Sequence, residues 1–123
     1  PAAELIARVF VIPSPDAEAA RAAARRLVAA YLTVPAYAAF HDWLGRGGEL
    51  RPMQAAWAAG DRRAALTLIP DKIVDELVVH GEPARCRERL AAYQAGGLDT
   101  PVIAVLPVPG MDEAEAVRQL APA

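Results

Sequence analysis

The sequence predicts an α/β fold with parallel strands. Three short apolar runs rich in Val and Ile stand at residues 5–12, 77–81 and 100–106. Each is followed by a helix start and by apolar residues at helical spacing. The first and last runs are nearly continuous rather than alternating, the pattern of strands covered on both faces, as in parallel sheets.

The first run reads LIARVFVI and is closed by Pro13. Its length and β-branched content favour a strand over a helix. Ser14-Pro15-Asp16 then predicts a helix start, with Ser14 as N-cap, Pro15 at the first helical position and Asp16 in the first turn. Ala17, Ala20, Ala24, Leu27, Val28 and Tyr31 recur at helical spacing behind it.

Residues 33–70 predict a helical insertion, too long for a plain connection. Pro35 opens a helix with Tyr37, Phe40, His41 and Leu44 on one stripe, and Gly45, Gly47 and Gly48 are expected to break it. Leu50, Met53 and Trp57 form a second stripe that ends at Gly60. Asp61 is placed to cap a third helix, and Pro70-Asp71 starts a fourth with Ile73, Val74 and Leu77 inward.

The second strand is read at residues 77–81. Glu82-Pro83 opens a helix with Cys86, Leu90 and Tyr93 on one face, stopped by Gly96-Gly97. TPVIAVL, residues 100–106, is the clearest strand. A last helix is marked by Ala114, Val117 and Ala121. Strands joined through helices are expected to be parallel, with right-handed crossovers.

Composition bounds the function. The chain has 123 residues, enough for one domain spanning 1–123, and 29 of them are Ala. Thirteen basic against fifteen acidic residues give a net charge of −2, so no basic excess speaks for nucleic acid or an anionic membrane surface. No apolar run approaches the roughly 20 residues of a membrane span. One cysteine forms no internal disulfide, which points to a reducing, cytoplasmic compartment.

Three parallel strands leave two open edges, and such edges are hazards unless paired or covered. Two solutions are open. The chain is part of a closed parallel barrel, in which each βα unit takes roughly 30 of about 250 residues. Alternatively it is a self-associating, non-catalytic α/β module that binds a ligand or partner through its edges.

The segment VVHGEPARCRERLAAYQAGGLDTPVIAVLP resembles the C-terminal end of the luciferase-like monooxygenase family. The pattern is carried by Gly81, Pro83, Leu90, Gly97, Leu98 and Asp99, followed by the strand from Val102 to Leu106. Upstream, RVFVIPSPDAEAARAAARRLVAAYLTVPAYAAFHDWLG is similar to the bacterial subgroup that is deazaflavin-dependent. Glu82 departs from the pattern, which often has Ser or Thr there, and a Glu caps a helix poorly. The resemblance implies the last three βα units of a TIM (β/α)8 barrel with a helical insertion. It implies an oxidoreductase of small organic substrates using the deazaflavin coenzyme F-420, or alternatively FMN. It also implies that most of the cofactor site lies in the five units before this chain, so the fragment by itself is expected to be inactive.

No catalytic motif stands in the sequence: there is no G-x-S-x-G, H-E-x-x-H, Walker A or G-x-G-x-x-G, and no metal-ligand spacing. The substrate-pocket candidates are Tyr37, His41, Trp43 and His80. His80 ends a strand, and C-terminal strand ends face the active site of a barrel. Tyr37, His41 and Trp43 would line a pocket if the insertion forms a lid, although His41 also reads as a packed histidine. Ser14 is explained by capping and Cys86 by packing. Arg85, Arg87 and Arg89 spread too far around their helix for one phosphate clamp. Glu82, Pro107 and Pro109 disfavour a phosphate site at the strand ends, on charge and on missing N–H donors. The expected partners are the missing N-terminal part of the barrel, or a second copy of the chain.

Overall fold

A computed structural model describes residues 3–122. Its element order is β1 (Ile6–Pro13), α1 (Ala17–Leu32), α2 (Pro35–Trp43), α3 (Gly47–Ala58), α4 (Arg62–Thr67), α5 (Asp71–Leu77), β2 (Val79–Gly81), α6 (Pro83–Ala95), β3 (Thr100–Val105) and α7 (Glu113–Leu120). The fold is α/β, and all three strands are parallel. The chain groups into two compact units. One comprises Pro1–Ala23 with Leu77–Ala123, and the other comprises Ala24–Glu76.

The first unit is built on β1. Residues 6–11 of β1 pair with residues 100–105 of β3, and residues 11–13 pair with residues 79–81 of β2. The strand order is β2-β1-β3. Neighbouring staves of a closed barrel follow chain order, which would put β2 between β1 and β3. The difference has a physical reason. β1 is the longest strand and carries two hydrogen-bonding edges, while β2 satisfies only three residues of one of them. Thr100–Val105 gains a six-residue ladder by taking the other edge, and an unpaired edge is the costlier alternative.

Val11 is in register with both Val79 and Val105, so one row of valines crosses the sheet. Val11, Val79, Cys86, Leu90 and Leu120 form the buried cluster over that row, with Val9 and Val105 packed against it. Pro83 opens α6, and the Glu82 side chain makes no capping bond, in line with the departure noted in the sequence. The stop comes at Gly97, whose φ of +116° favours glycine.

Two helix assignments in this unit are corrected. The cap of α1 is Asp16 rather than Ser14: Asp16 Oδ1 accepts from the Ala19 N–H at 3.0 Å. Ser14 instead accepts from the Asp16 N–H at 3.2 Å and bridges to Gly81. In α7 the inward residues are Ala116 and Leu120, while Val117 is 57% exposed. The capping bond from the Glu115 N–H to Asp112 sets this register, and it turns the 116/120 pair toward α6.

The second unit is helical. Ala24, Val28, Leu32, Leu50, Met53, Ala65, Ile69, Ile73 and Val74 are buried in it. Arg25 donates to the Ile69 carbonyl at 3.1 and 3.2 Å and pairs with Asp71, which ties α1 to the start of α5. Gln54 donates to the Leu32 carbonyl at 3.3 Å. Asp61 caps α4 through the Ala64 N–H, as expected. Only Gly45, with φ of +86°, breaks the chain after α2; Gly47 and Gly48 begin α3. Leu77 closes α5 rather than opening a strand.

The register of α7 is checked by two truncations. Leu120→Ala is expected to cost about 2–5 kcal/mol in urea unfolding, as for other buried leucines. Val117→Ala, at an exposed position, is expected to stay within about 0.5 kcal/mol. A larger loss at Val117 than at Leu120 would reverse the assignment.

Candidate functional site

In open parallel sheets and barrels alike, chemistry gathers at the C-terminal strand ends. Here that end is built by Ser14 after β1, by His80 and Gly81 in β2, and by residues 106–112 after β3. Ile12 is in register with His80, and Pro13 with Gly81. The Ser14 N–H donates to the Ile12 carbonyl at 2.9 Å, and Ser14 is 9% exposed. Gly81 adopts φ of +129°, and a Cβ there would stand 3.2 Å from Arg85 Cδ. The turn from β2 into α6 is therefore tight and specific to glycine.

Side chains alternate along a strand. Val79 faces the Cys86 and Leu90 cluster, so His80 points to the other face, with Ile12 and Phe10. His80 is half-buried. Cys86 lies beneath the same turn, with Sγ 3.5 Å from the Gly81 carbonyl oxygen. Burial raises the thiol pKa and outweighs the opposing pull of Arg89 and Arg87, so the sulfur is a packed, protonated group.

The remaining candidates stand on α2, in the other unit. The expected packed stripe is mostly exposed: Tyr37 is 48%, Phe40 51%, Leu44 45% and Trp43 80% exposed. His41 alone of these is buried. Its Nδ1 lies 3.2 Å from Arg46 Nη1, which donates, so Nδ1 accepts and the ring proton sits on Nε2. Arg46 also pairs with Glu76 at 2.9 Å, so one guanidinium joins α2 to α5. The stripe is exposed because α2 is held through His41 and the Arg46 clasp; the other aromatics pack against each other, Tyr37 on Tyr31 at 5.6 Å and Phe40 on Trp43 at 6.1 Å. Tyr37, His41 and Trp43 thus share one short helix, while His80 belongs to the sheet.

Cavities lie among the described residues of the sheet unit. One of about 630 Å³ runs between α6, β3 and the end of α7, with Leu90, Ile103 and Leu120 in its walls. Another, of about 340 Å³, opens between the loops after β1 and β3. The second was not legible in the residues, because it exists only where β1 and β3 are neighbours. Among the described residues no three His, Cys, Asp or Glu converge as metal ligands. No described helix is long and apolar enough to cross a membrane.

The sequence profile of the luciferase-like monooxygenases matches residues 1–100. The chain belongs to that family. The matched span runs from β1 to the first residue of β3, so it includes the Gly81-Glu82-Pro83 turn and all of α6. The family is one of oxidoreductases that commonly use flavin-type cofactors. Comparison with curated proteins and with solved structures finds no match.

The buried His41 generates a pH dependence. Desolvation first, and Arg46 second, lower its pKa below the ordinary value of 6.5. Between the two values the unfolded chain binds more protons, so stability rises with pH. The contribution is complete above about pH 6.5 and is lost as pH falls toward the lowered folded value. The urea midpoint is expected to drop between pH 7.5 and 5.5, and His41→Gln is expected to flatten that slope. An unchanged slope in the variant would show that the dependence arises elsewhere.

Proposed function

We propose that this chain forms the last three βα units of a luciferase-like (β/α)8 oxidoreductase acting on a small organic substrate. The observation that carries the reading is the uncovered apolar sheet: Leu5 is 56%, Ile6 54%, Val102 49% and Ile103 36% exposed. Strands of that composition are covered on both faces in a finished parallel fold. Five further staves would supply the cover and the partner edges. In that setting β2 and β3 pair with each other, and β3 gives up the β1 edge it holds here.

The cofactor in this reading is the deazaflavin F-420, with FMN as the alternative. The strand ends of this chain do not fit the phosphate such a cofactor carries. Glu82, Asp112 and Glu115 place carboxylates there, and Pro13, Pro15, Pro107 and Pro109 offer no N–H. The two helix starts beside them, α1 and α7, are already capped by Asp16 and Asp112. The phosphate-binding residues accordingly belong to other units, and no catalytic step is assigned to this chain. Its part is structural closure, with His80 on the face that would line the barrel interior. The insertion, residues 33–70, would carry Tyr37, His41 and Trp43 toward the substrate as a wall or lid. A cytoplasmic location agrees with the single buried thiol of Cys86.

The test is the intact mass and activity of the source protein. The expected mass is roughly two to three times 13.0 kDa, the range set by barrels of about 250 to 400 residues. That protein is expected to turn over F-420, and the 123-residue chain is not. A source protein of 13.0 kDa, or F-420 turnover by the chain alone, would overturn the reading.

A further inference from the structure

Within the helical unit, α2 is thinly anchored. Its sequence, PAYAAFHDW, leaves Tyr37, Phe40 and Trp43 exposed, and His41 is its only buried residue. The buried apolar residues of the unit, such as Leu32, Leu50, Met53 and Ile73, stand on α1, α3 and α5. The helix can therefore leave without opening that core. Gly45, with open space around its α-carbon, follows α2 and gives the chain room to turn.

What holds α2 is polar. His41 Nδ1 lies 3.2 Å from Arg46 Nη1, and the same guanidinium reaches Glu76 of α5 at 2.9 and 3.0 Å. A guanidinium only donates, so the first bond exists only while Nδ1 keeps a free lone pair. An imidazolium has none, because both of its nitrogens carry protons. Protonation thus replaces an accepted hydrogen bond with two cations in contact at a buried position. Desolvation and Arg46 already lower the pKa of the ring, which is the same conflict seen from the neutral side.

The charged neighbours are engaged elsewhere or exposed. On α2 itself, Asp42 lies over Gly47 and pairs with Arg51 at 3.9 Å, both side chains being exposed, and such a pair contributes little. On α3, Glu49 and Arg51 are exposed. On α5, Glu76 is bound to Arg46, Lys72 is exposed and Asp75 is half-buried. On α1, which touches α2 through the Tyr31–Tyr37 ring contact, Arg25 is committed to the Ile69 carbonyl and Asp71.

We propose that His41 is an acid-sensitive latch: its protonation lets α2 detach from α3 and α5 while the rest of the helical unit stays folded. The latch belongs to residues 24–76 alone and needs neither the strand order nor the oxidoreductase reading. In the proposed barrel it would make the wall formed by α2 acid-labile, and only that consequence rests on the reading above.

The test follows backbone amide exchange and the His41 ring protons by NMR in the 15N-labelled chain between pH 7.5 and 5.5. Exchange rates are corrected for intrinsic base catalysis. Protection in α2 is expected to fall roughly three- to tenfold, tenfold being the limit set by a released-state pKa of about 6.5. Protection in α3 and α5 is expected to hold. The fall is expected to follow the titration of His41 and not that of His80, the other of the two histidines. His41→Gln is expected to give equal protection of α2 at both pH values, and His80→Asn to keep the wild-type fall. The ring titration is read in the unaltered chain, so it decides the matter even where a variant folds poorly. No fall in α2, a fall shared equally by α3 and α5, a midpoint that tracks His80, or a fall that persists in His41→Gln would each overturn the proposal. The first of these is the outcome if Glu76 swings from Arg46 to the imidazolium and keeps α2 docked.

Discussion

Everything in the sheet unit depends on β1 sharing its two edges. The strand gives residues 6–11 to β3 and residues 11–13 to β2, so Val11 is the one position paired on both sides. The valine row through Val79, Val11 and Val105 is the surface on which Cys86, Leu90 and Leu120 close. A parallel ladder alone contributes little net stability, because water satisfies the same groups in the unfolded chain. Its value lies in aligning apolar side chains of three distant segments on one face, where burial contributes about 25 cal/mol per Å². Without the ladder, α6 and α7 would have no continuous floor.

That burial fades along the sheet toward the start of β1. β1 grades from exposed at Ile6 to buried at Val11, Ile12 and Pro13. The buried end coincides with β2 and with the start of α6, and it is also the end where Ser14, His80 and Gly81 meet. Rigid backbone and candidate chemistry are therefore co-located, as a site requires if its side chains are to be held in place. The helical unit follows a different logic. Its helices are short, so caps and cross-links such as Asp61, Arg25 and Arg46 hold what brief apolar stripes leave loose.

Much of this was legible in the residues. Strand runs at 5–12 and 100–106 lie within one residue of β1 and β3 at every end, because continuous Val and Ile leave few alternatives to a buried strand. The parallel sense followed from the helices between them. Asp61 announced its cap. What was illegible depended on packing. Periodicity allowed Val117 or Leu120 to face inward on α7, and only the Asp112 cap chose between them. The α2 stripe read as core because Tyr37, Phe40 and Leu44 share a face, but a shared face does not ensure that anything covers it. Ser14 looked like the cap, yet Asp16 stands two residues closer to the helix with a stronger acceptor. Family membership was readable from the Gly81-Glu82-Pro83 turn and α6, which fall within the matched span.

Strand order was the least legible feature, and it is where the observed sheet differs from the proposed barrel. Pairing partners are set by which edges are on offer, not by the strands' own residues. In the proposed barrel β2 would have β3 as its neighbour, and the loops after β1 and β3 would be held one stave apart. Alone, β3 satisfies the β1 edge, and those loops are brought together around the 340 Å³ crevice. The two arrangements exclude each other, because β1 has one edge for β3 or for a preceding stave, not for both.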